Sequence, residues 1–447
     1  MNRFGVFRVA MLLFVTMFTV SVYAQNGETY VVKKKDTVYG IARKFGLTIE
    51  QLTDANPGLD AEGTQLKKGM TIVIPRSSTG SPVTANASSA SQIEKKGSMK
   101  VGVMLPLHDN DGDGRRMTEY YRGILMACEN LKREGISVDI RAWNVDIDSD
   151  IRVSLLDEGT KDRDIIFGPL YTKQVRPLAD FCRSNGIKLV IPFSINADDV
   201  EKNEYVFQVY QTPSQFSQQS VKAFIERSSG SHVVIVDCND STSKKGVFTK
   251  ELRAQLDKNS SKYNLTNITS TDEQFAKAFV LGMDNIVVLN SPKSEYIRTF
   301  IERIEVLRSV NPTLSVTLFG YTEWLMFAKQ MKQLFHRYNV YIPTSFYYNE
   351  SSETSQQLAR KYKATFGRDM IYALPYFALT GYDHAQYFLR GINKYGDSFQ
   401  GDKNQKAYNA VQTPLVFQPL SDKSGRQNVE FMLIHYTKEG GIDALSY

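Results

Sequence analysis

Three aspartates spaced two apart, Asp109, Asp111 and Asp113, followed by Gly114, come closest in this chain to a metal-binding pattern. Alternating carboxylates ahead of a glycine make up the first half of a loop that wraps calcium, a hard cation that takes oxygen ligands. The twelfth position of such a loop calls for a bidentate glutamate; here it is Tyr120, and Glu119 falls one residue short. The favoured reading is therefore an exposed polar loop, with the three aspartates as a weak metal candidate. The histidines at 108, 232, 336, 384 and 435 show no ligand spacing. No His-Glu-x-x-His or Gly-x-Ser-x-Gly run occurs. Nothing local gathers Ser, His and acidic groups, so a chain without catalysis and without a cofactor is expected.

Binding is a more accessible chemistry. Three loops, 108–116, 168–173 and 193–196, each follow a run that reads as a buried strand. Parallel α/β sheets present their functional loops at the carboxyl ends of strands. Gly168 allows a close backbone approach, and a helix beginning near Thr172 offers free N–H groups to an anion. Asp109, Gly168, Pro169, Tyr171, Thr172 and Ser194 are the candidate ligand contacts of this region.

The elements that must hold these loops alternate in type. Strands are expected at 100–105, 138–143, 164–167 and 188–192, with helices at 117–133 and 172–184. A second series has strands at 232–237, 285–289 and 314–319 and helices at 245–256, 273–281 and 294–309. After a segment at 339–342, helices at 353–366 and 376–392 and a strand at 431–436 close the chain. Alternating strands and helices predict mainly parallel sheets with helices on both faces, and two series predict two lobes. The expected division is lobe 1 at about 99–211 and 346–405, and lobe 2 at about 212–345 and 406–447.

Ahead of this α/β region the texture differs. Arg3 and Arg8 precede an apolar run at 9–20 that is too short to span a bilayer, and Val22-Tyr23-Ala24 offers the small residues a signal peptidase reads. A secretory leader at 1–24 is expected, with a periplasmic or otherwise exported, cell-wall associated location. No cysteine follows for lipid attachment, and no later stretch reads as a membrane helix. Residues 77–92 carry no charge and are almost all Ser, Thr, Ala, Gly, Asn and Pro. Such a segment buries too little apolar area to offset its entropy. A flexible linker at 76–98 with a reach of roughly 25–30 Å is expected. The net charge of +6 is modest and interspersed, which argues against a nucleic-acid binder. Cys128, Cys182 and Cys238 read as buried structural thiols, because three cysteines do not make a disulfide scaffold.

Between the leader and the linker lies a module with its own pattern. It runs Tyr30-Val31-Val32, Asp36-Thr37-Val38-Tyr39-Gly40-Ile41-Ala42, Phe45-Gly46-Leu47-Thr48, Asn56-Pro57-Gly58, then Leu66-Lys67-Lys68-Gly69-Met70 and Ile72-Val73-Ile74-Pro75. The expected order is strand, helix, helix, strand. Thr37 caps the first helix, and Thr48 with Gln51 forms a capping box for the second. This run, 28–75, resembles the LysM domain, which grips N-acetylglucosamine-containing glycans. The resemblance implies peptidoglycan as a partner and places glycan contacts at Asp36, Thr37, Val38, Asn56, Pro57, Gly58 and Leu59. Lys35 stands where the family usually has glycine.

The larger region, 99–447, resembles the type I periplasmic binding-protein fold. The residues that carry this are Met99-Lys100-Val101-Gly102-Val103-Met104-Leu105-Pro106-Leu107, Tyr121-Arg122-Gly123 and Asp164-Ile165-Ile166-Phe167-Gly168-Pro169-Leu170. Ile187-Lys188-Leu189-Val190-Ile191-Pro192-Phe193-Ser194 and Ala378-Leu379-Thr380-Gly381-Tyr382-Asp383-His384-Ala385 complete the set. The resemblance implies a bilobal body with a ligand cleft. Where amino-acid receptors have a Gly- and Ser-containing loop, this chain has the Asp-rich 108–116. Leu105-Pro106-Leu107 and Gly168-Pro169-Leu170 are similar to the binding-protein-like domain of outer-membrane lipoprotein activators of penicillin-binding proteins. The expected partner of the body is thus a cell-wall synthesis protein or a small ligand. The alternative is a wall-tethered solute receptor for amino acids or related molecules.

Overall fold

The computed structural model of the 447-residue chain describes residues 28–34, 36–45, 47, 49–59, 66–75, 97–194 and 198–447. The expected leader, nearly all of the expected linker, Lys35, Thr48 and residues 195–196 lie outside the described residues. The chain divides into two compact units. One takes in the described part of 28–75 and also 357–369; the other holds the remainder.

The small module comprises β1 (Glu28–Val31), α1 (Val38–Lys44), α2 (Ile49–Asp54) and β2 (Thr71–Ile74), in the expected order. The two strands pair antiparallel, with Val31 opposite Thr71 and Glu28 opposite Ile74. Val32, Val38, Ile41, Ala42, Leu47, Leu52, Leu59, Ile72 and Ile74 are buried together as its core. Phe45 is only half-buried, its ring edge-on to Tyr30 at 5.3 Å.

The larger unit opens with β3 (Met99–Leu105), α3 (Gly112–Arg133), β4 (Val138–Asn144), α4 (Ile151–Ser154), β5 (Ile165–Phe167), α5 (Thr172–Asn185), β6 (Lys188–Ile191) and β7 (Val206–Gln208). There follow α6 (Pro213–Arg227), β8 (His232–Asp237), α7 (Gly246–Lys258), β9 (Tyr263–Asn267), α8 (Asp272–Ala276), β10 (Asp284–Leu289), α9 (Ser294–Val310), β11 (Ser315–Leu318), α10 (Lys332–Arg337) and β12 (Tyr341–Thr344). The chain closes through α11 (Glu353–Phe366), α12 (Phe377–Tyr395), β13 (Phe417–Pro419), β14 (Arg426–Asn428), β15 (Met432–Tyr436) and β16 (Ile442–Ser446).

The first lobe is built on a seven-stranded sheet ordered β13-β14-β7-β6-β5-β3-β4. All its strands run parallel except β13, which pairs antiparallel with β14. Position follows composition. The unbroken apolar run of β5 is buried along its whole length and lies inside the sheet, whereas β4 has only half-buried and exposed residues and forms an edge. Apolar cores fill both faces, one around Tyr120, Phe167, Phe207 and Phe388 and the other around Ile166, Leu178 and Leu189. The second lobe holds a parallel sheet ordered β11-β10-β8-β9 and a three-stranded sheet ordered β12-β15-β16, both against one core. This third, antiparallel sheet is an addition to the two parallel sheets that the alternation predicts.

Two expectations need correction. Helix α3 starts at Gly112 rather than 117, because Asp111 caps it by accepting a hydrogen bond from Gly114 N at 2.7 Å. The expected second-lobe stretch 406–447 is also too long. Strands β13 and β14 belong to the first lobe, since Arg426 and Gln427 pair in parallel with Phe207 and Gln208 and extend that sheet. Only β15 and β16 cross over. The first and last crossings are laced together: Gln427 Nε2 donates to Tyr210 O at 2.8 Å and Gln211 Nε2 to Glu430 O at 3.2 Å.

Helices α3 and α12 cross at glycines. A Cβ on Gly123 would be driven into the Ala378 carbonyl, and one on Gly381 into the Tyr120 carbonyl. Close by, Asp383 on α12 is fully buried. Its Oδ1 accepts from Tyr408 Oη at 2.8 Å and Val411 N at 2.9 Å, and its Oδ2 from Gln412 N at 2.8 Å and Thr413 N at 2.7 Å. Burial pushes its pKa up to about 6 against the downward pull of those four donors.

Candidate functional site

In the small module, the polar side chains expected to meet glycan are engaged within the fold. Asp36 Oδ2 accepts from Tyr30 Oη at 2.9 Å and Lys33 N at 2.7 Å, which closes the turn before α1. Thr37 Oγ1 accepts from Gly40 N at 3.0 Å, the cap its sequence position predicts. The Asn56 side chain donates to Leu52 O and Val73 O at 2.7 and 2.8 Å and accepts from Val73 N at 2.6 Å, so it rivets α2 to β2. Val38 and Leu59 are core residues, while Pro57 and Gly58 are exposed. Asn56→Ala is expected to cost the module about 2 kcal/mol, because it leaves partly buried backbone groups without partners. A shift in the module's own unfolding transition measures this.

At the first lobe, the carboxyl ends of β3, β5 and β6 bring most of the expected contacts together. Gly168 has φ of +138°, and a Cβ there would collide with the Met104 carbonyl, so β5 and β3 approach at a position only glycine fills. Pro169 is buried behind it. Tyr171 precedes α5 without a side-chain cap, and its hydroxyl donates to Asp113 Oδ2 at 3.3 Å. Partial burial and that carboxylate push the phenol up to about 12. Thr172 Oγ1 lies 3.2 Å from Ser194 Oγ. Asp109 takes part through its backbone carbonyl, which accepts from Arg115 Nη1 at 3.2 Å. Sequence reasoning missed the aromatic wall of this edge. Phe193 packs against Tyr120, Phe377 and Tyr210 with centroids 5.1, 5.5 and 5.9 Å apart. Its members come from four separate segments, and no local spacing signals them.

The aspartate pattern does not form a calcium loop. Asp111 is a helix cap and Asp113 pairs with Arg116 and Tyr171, so the carboxylates serve different partners. Among the described residues no group of three acidic, histidine or cysteine side chains is placed to hold a metal.

The second lobe contributes an open pocket of about 470 Å³ between the first turns of α6 and α7 and the loop after β11. Phe216, Val247, Phe248 and the Tyr321 ring make its walls apolar, while Lys244, Lys245 and Glu251 add charge. Lys245 Nζ pairs with Glu323 at 2.8 Å and sits 4.7 Å from the Tyr321 ring centroid. Ser217 donates to Glu251. Tyr321 is itself fixed, donating to Leu289 O at 2.6 Å.

Comparison with known proteins decides the family. Residues 159–440 match the family model described as periplasmic binding protein, and residues 30–75 match the LysM domain. The chain belongs to the periplasmic binding protein family. A solved structure from Rhodospirillum rubrum, described as a branched-chain amino acid ABC transporter, superposes with a TM-score of 0.53 at 13% identity, covering 78% of this chain and all of the other. A branched-chain amino acid periplasmic ligand-binding protein from Burkholderia xenovorans reaches 0.47 at 13% identity, covering 78% and 94%. No curated protein matches the chain.

This periplasmic binding protein thus carries a ligand-binding body and a LysM glycan-binding module. Among its described residues no helix is long and apolar enough to cross a membrane. The three thiols are free; Cys182 and Cys238 are buried and Cys128 half-buried. Burial pushes Cys128 and Cys238 up to about 12 and raises Cys182 as well, which makes all three poor nucleophiles. His384, fully buried with Nδ1 2.9 Å from Tyr120 Oη, is held neutral, its pKa depressed by burial to about 3.

Proposed function

We propose that this is an exported, non-catalytic peptidoglycan-binding protein. Its LysM loops, Asp36-Thr37-Val38 and Asn56-Pro57-Gly58-Leu59, hold N-acetylglucosamine-containing glycan in the periplasm. Its bilobal body engages a partner along the edge lined by Asp109, Gly168, Tyr171, Thr172 and Ser194, in the service of wall synthesis. One observation carries the proposal: a glycan-gripping module and a ligand-binding body share a single chain. Because Asp36, Thr37 and Asn56 spend their side chains on the fold, glycan contact falls to the main chain and the exposed Pro57 and Gly58 surface.

The second reading, a wall-tethered receptor for amino acids or related solutes, is favoured by the second-lobe pocket. Its apolar walls and charges of both signs suit a small amphipathic molecule.

Purified sacculi test the first part. The full chain is expected to sediment with them, and a chain lacking residues 28–75 to stay in the supernatant; a full chain that stays behind contradicts glycan binding. Crosslinking in cells then separates the two readings of the body, since only the first yields a wall-synthesis protein.

A further inference from the structure

Helices α6 and α7 pack side by side in the second lobe, tied where the Ser217 hydroxyl donates to Glu251. Between them runs an open groove of about 670 Å³. One stripe from each helix lines it. Gln218, Val221, Lys222, Ile225 and Glu226 come from α6, and Glu251, Ala254, Gln255 and Lys258 from α7. Both sets follow the i, i+3, i+4, i+7 spacing that places residues on one face of a helix. The floor between the stripes is apolar. Val221 is buried and Ile225 packs on the second-lobe core. Ala254 is exposed, and its short side chain leaves room for another chain to approach closely.

The rim is charged, and its charges are not spent inside the chain. Lys222, Glu226 and Lys258 are exposed, and among the described residues none of them is ion-paired. Lys222 and Glu226 stand one turn apart without pairing; lysine ahead of glutamate is the weaker order at that spacing. The order of these charges decides what covers the groove. Along α6 it is Lys222 then Glu226, and along α7 it is Glu251 then Lys258. A helix set end for end against a copy of itself meets its own order reversed. Lys222 then faces the partner's Glu226, and Glu251 faces the partner's Lys258. Both stripes complement themselves, which is what the single shared patch of a twofold dimer requires.

We propose that the α6–α7 face is a self-association surface on which a second copy of this chain packs antiparallel. Side chains from each copy enter the groove of the other, and the apolar floors of both leave water. The twofold repeats every charge pair, so each contact counts twice. Exposed ion pairs contribute little singly. Here they fix orientation and register, while burial of the floor supplies most of the affinity. The surface stands whether or not the LysM module grips glycan. Where it does, a dimer brings two grips to one polymer, and linked grips hold more tightly than either alone.

Sedimentation velocity on the full chain tests this. A dimer with a Kd of about 10 µM is expected at low salt. Lys222→Glu sets like charge against the partner's Glu226 at two places and is expected to weaken the dimer about tenfold. Adding Glu226→Lys to that variant re-creates the complementary order in reverse, and the double variant is expected to dimerise within about threefold of the parent. Both residues are exposed, so thermal unfolding should hold steady and report that the fold is intact. A chain that stays monomeric at about 100 µM overturns the proposal. A dimer that Lys222→Glu leaves unchanged overturns it too, as does a double variant that associates no better than the single one.

Discussion

Asp383→Ala is expected to destabilise the larger unit by about 4 kcal/mol. The carboxylate is the shared acceptor for three backbone N–H groups, of Val411, Gln412 and Thr413, and for the Tyr408 hydroxyl. Alanine leaves all four donors without their partner, and each buried orphan costs about 1–3 kcal/mol before relaxation lets some reach water. The segment at 408–413 has no helix or strand of its own, so apart from the bonds of Gln412 to Tyr376, Thr380 and Tyr347 it depends on this carboxylate. Asparagine should not rescue the site, because its NH₂ group would oppose the N–H of Gln412 or Thr413. Urea unfolding of the three proteins measures this, and an Asn variant as stable as the parent would contradict the account.

Gly381→Ala is expected to cost about 3 kcal/mol, with Gly123→Ala close behind. Each added methyl meets a main-chain carbonyl, of Tyr120 or Ala378, rather than a yielding side chain. Overfilling a packed interior costs about 1–3 kcal/mol, toward the upper end where backbone must shift. The burial pattern of α12 sharpens the expectation: Gly381 lies in a stretch of the helix that is buried from Ala378 to Ile392 with few breaks. The two changes act on one crossing, so the double variant should lose less than the sum of the singles. Simple additivity in thermal unfolding would indicate that the helices do not meet at these positions.

Both sites were partly legible in the sequence. The stretch from Ala378 to Ala385 carries a resemblance, but the role of Asp383 depends on a segment about 25 residues downstream whose irregular path leaves no periodic signal. The same contrast runs through the whole molecule. Strands buried on both faces, such as β5 and β8, announce themselves as apolar runs. Strand β9, Tyr-Asn-Leu-Thr-Asn, is an edge made largely of polar residues, and β14 is Arg-Gln-Asn; only their neighbours make them strands. In the candidate site, Gly168, Tyr171, Thr172 and Ser194 were legible because each sits just beyond an apolar strand. The Phe193 wall and the Phe248–Tyr321 pocket were not, because tertiary packing assembles them from distant segments.

The pairing of β14 with β7 carries a consequence for biosynthesis. Residues 206–208 are made more than two hundred positions before the strand that flanks them. A ribosome that stalls, or a protease that clips, anywhere ahead of residue 426 leaves β7 as a bare, sticky rim. Truncated copies should therefore clump or be degraded, while only chains that extend past residue 428 can seal the sheet.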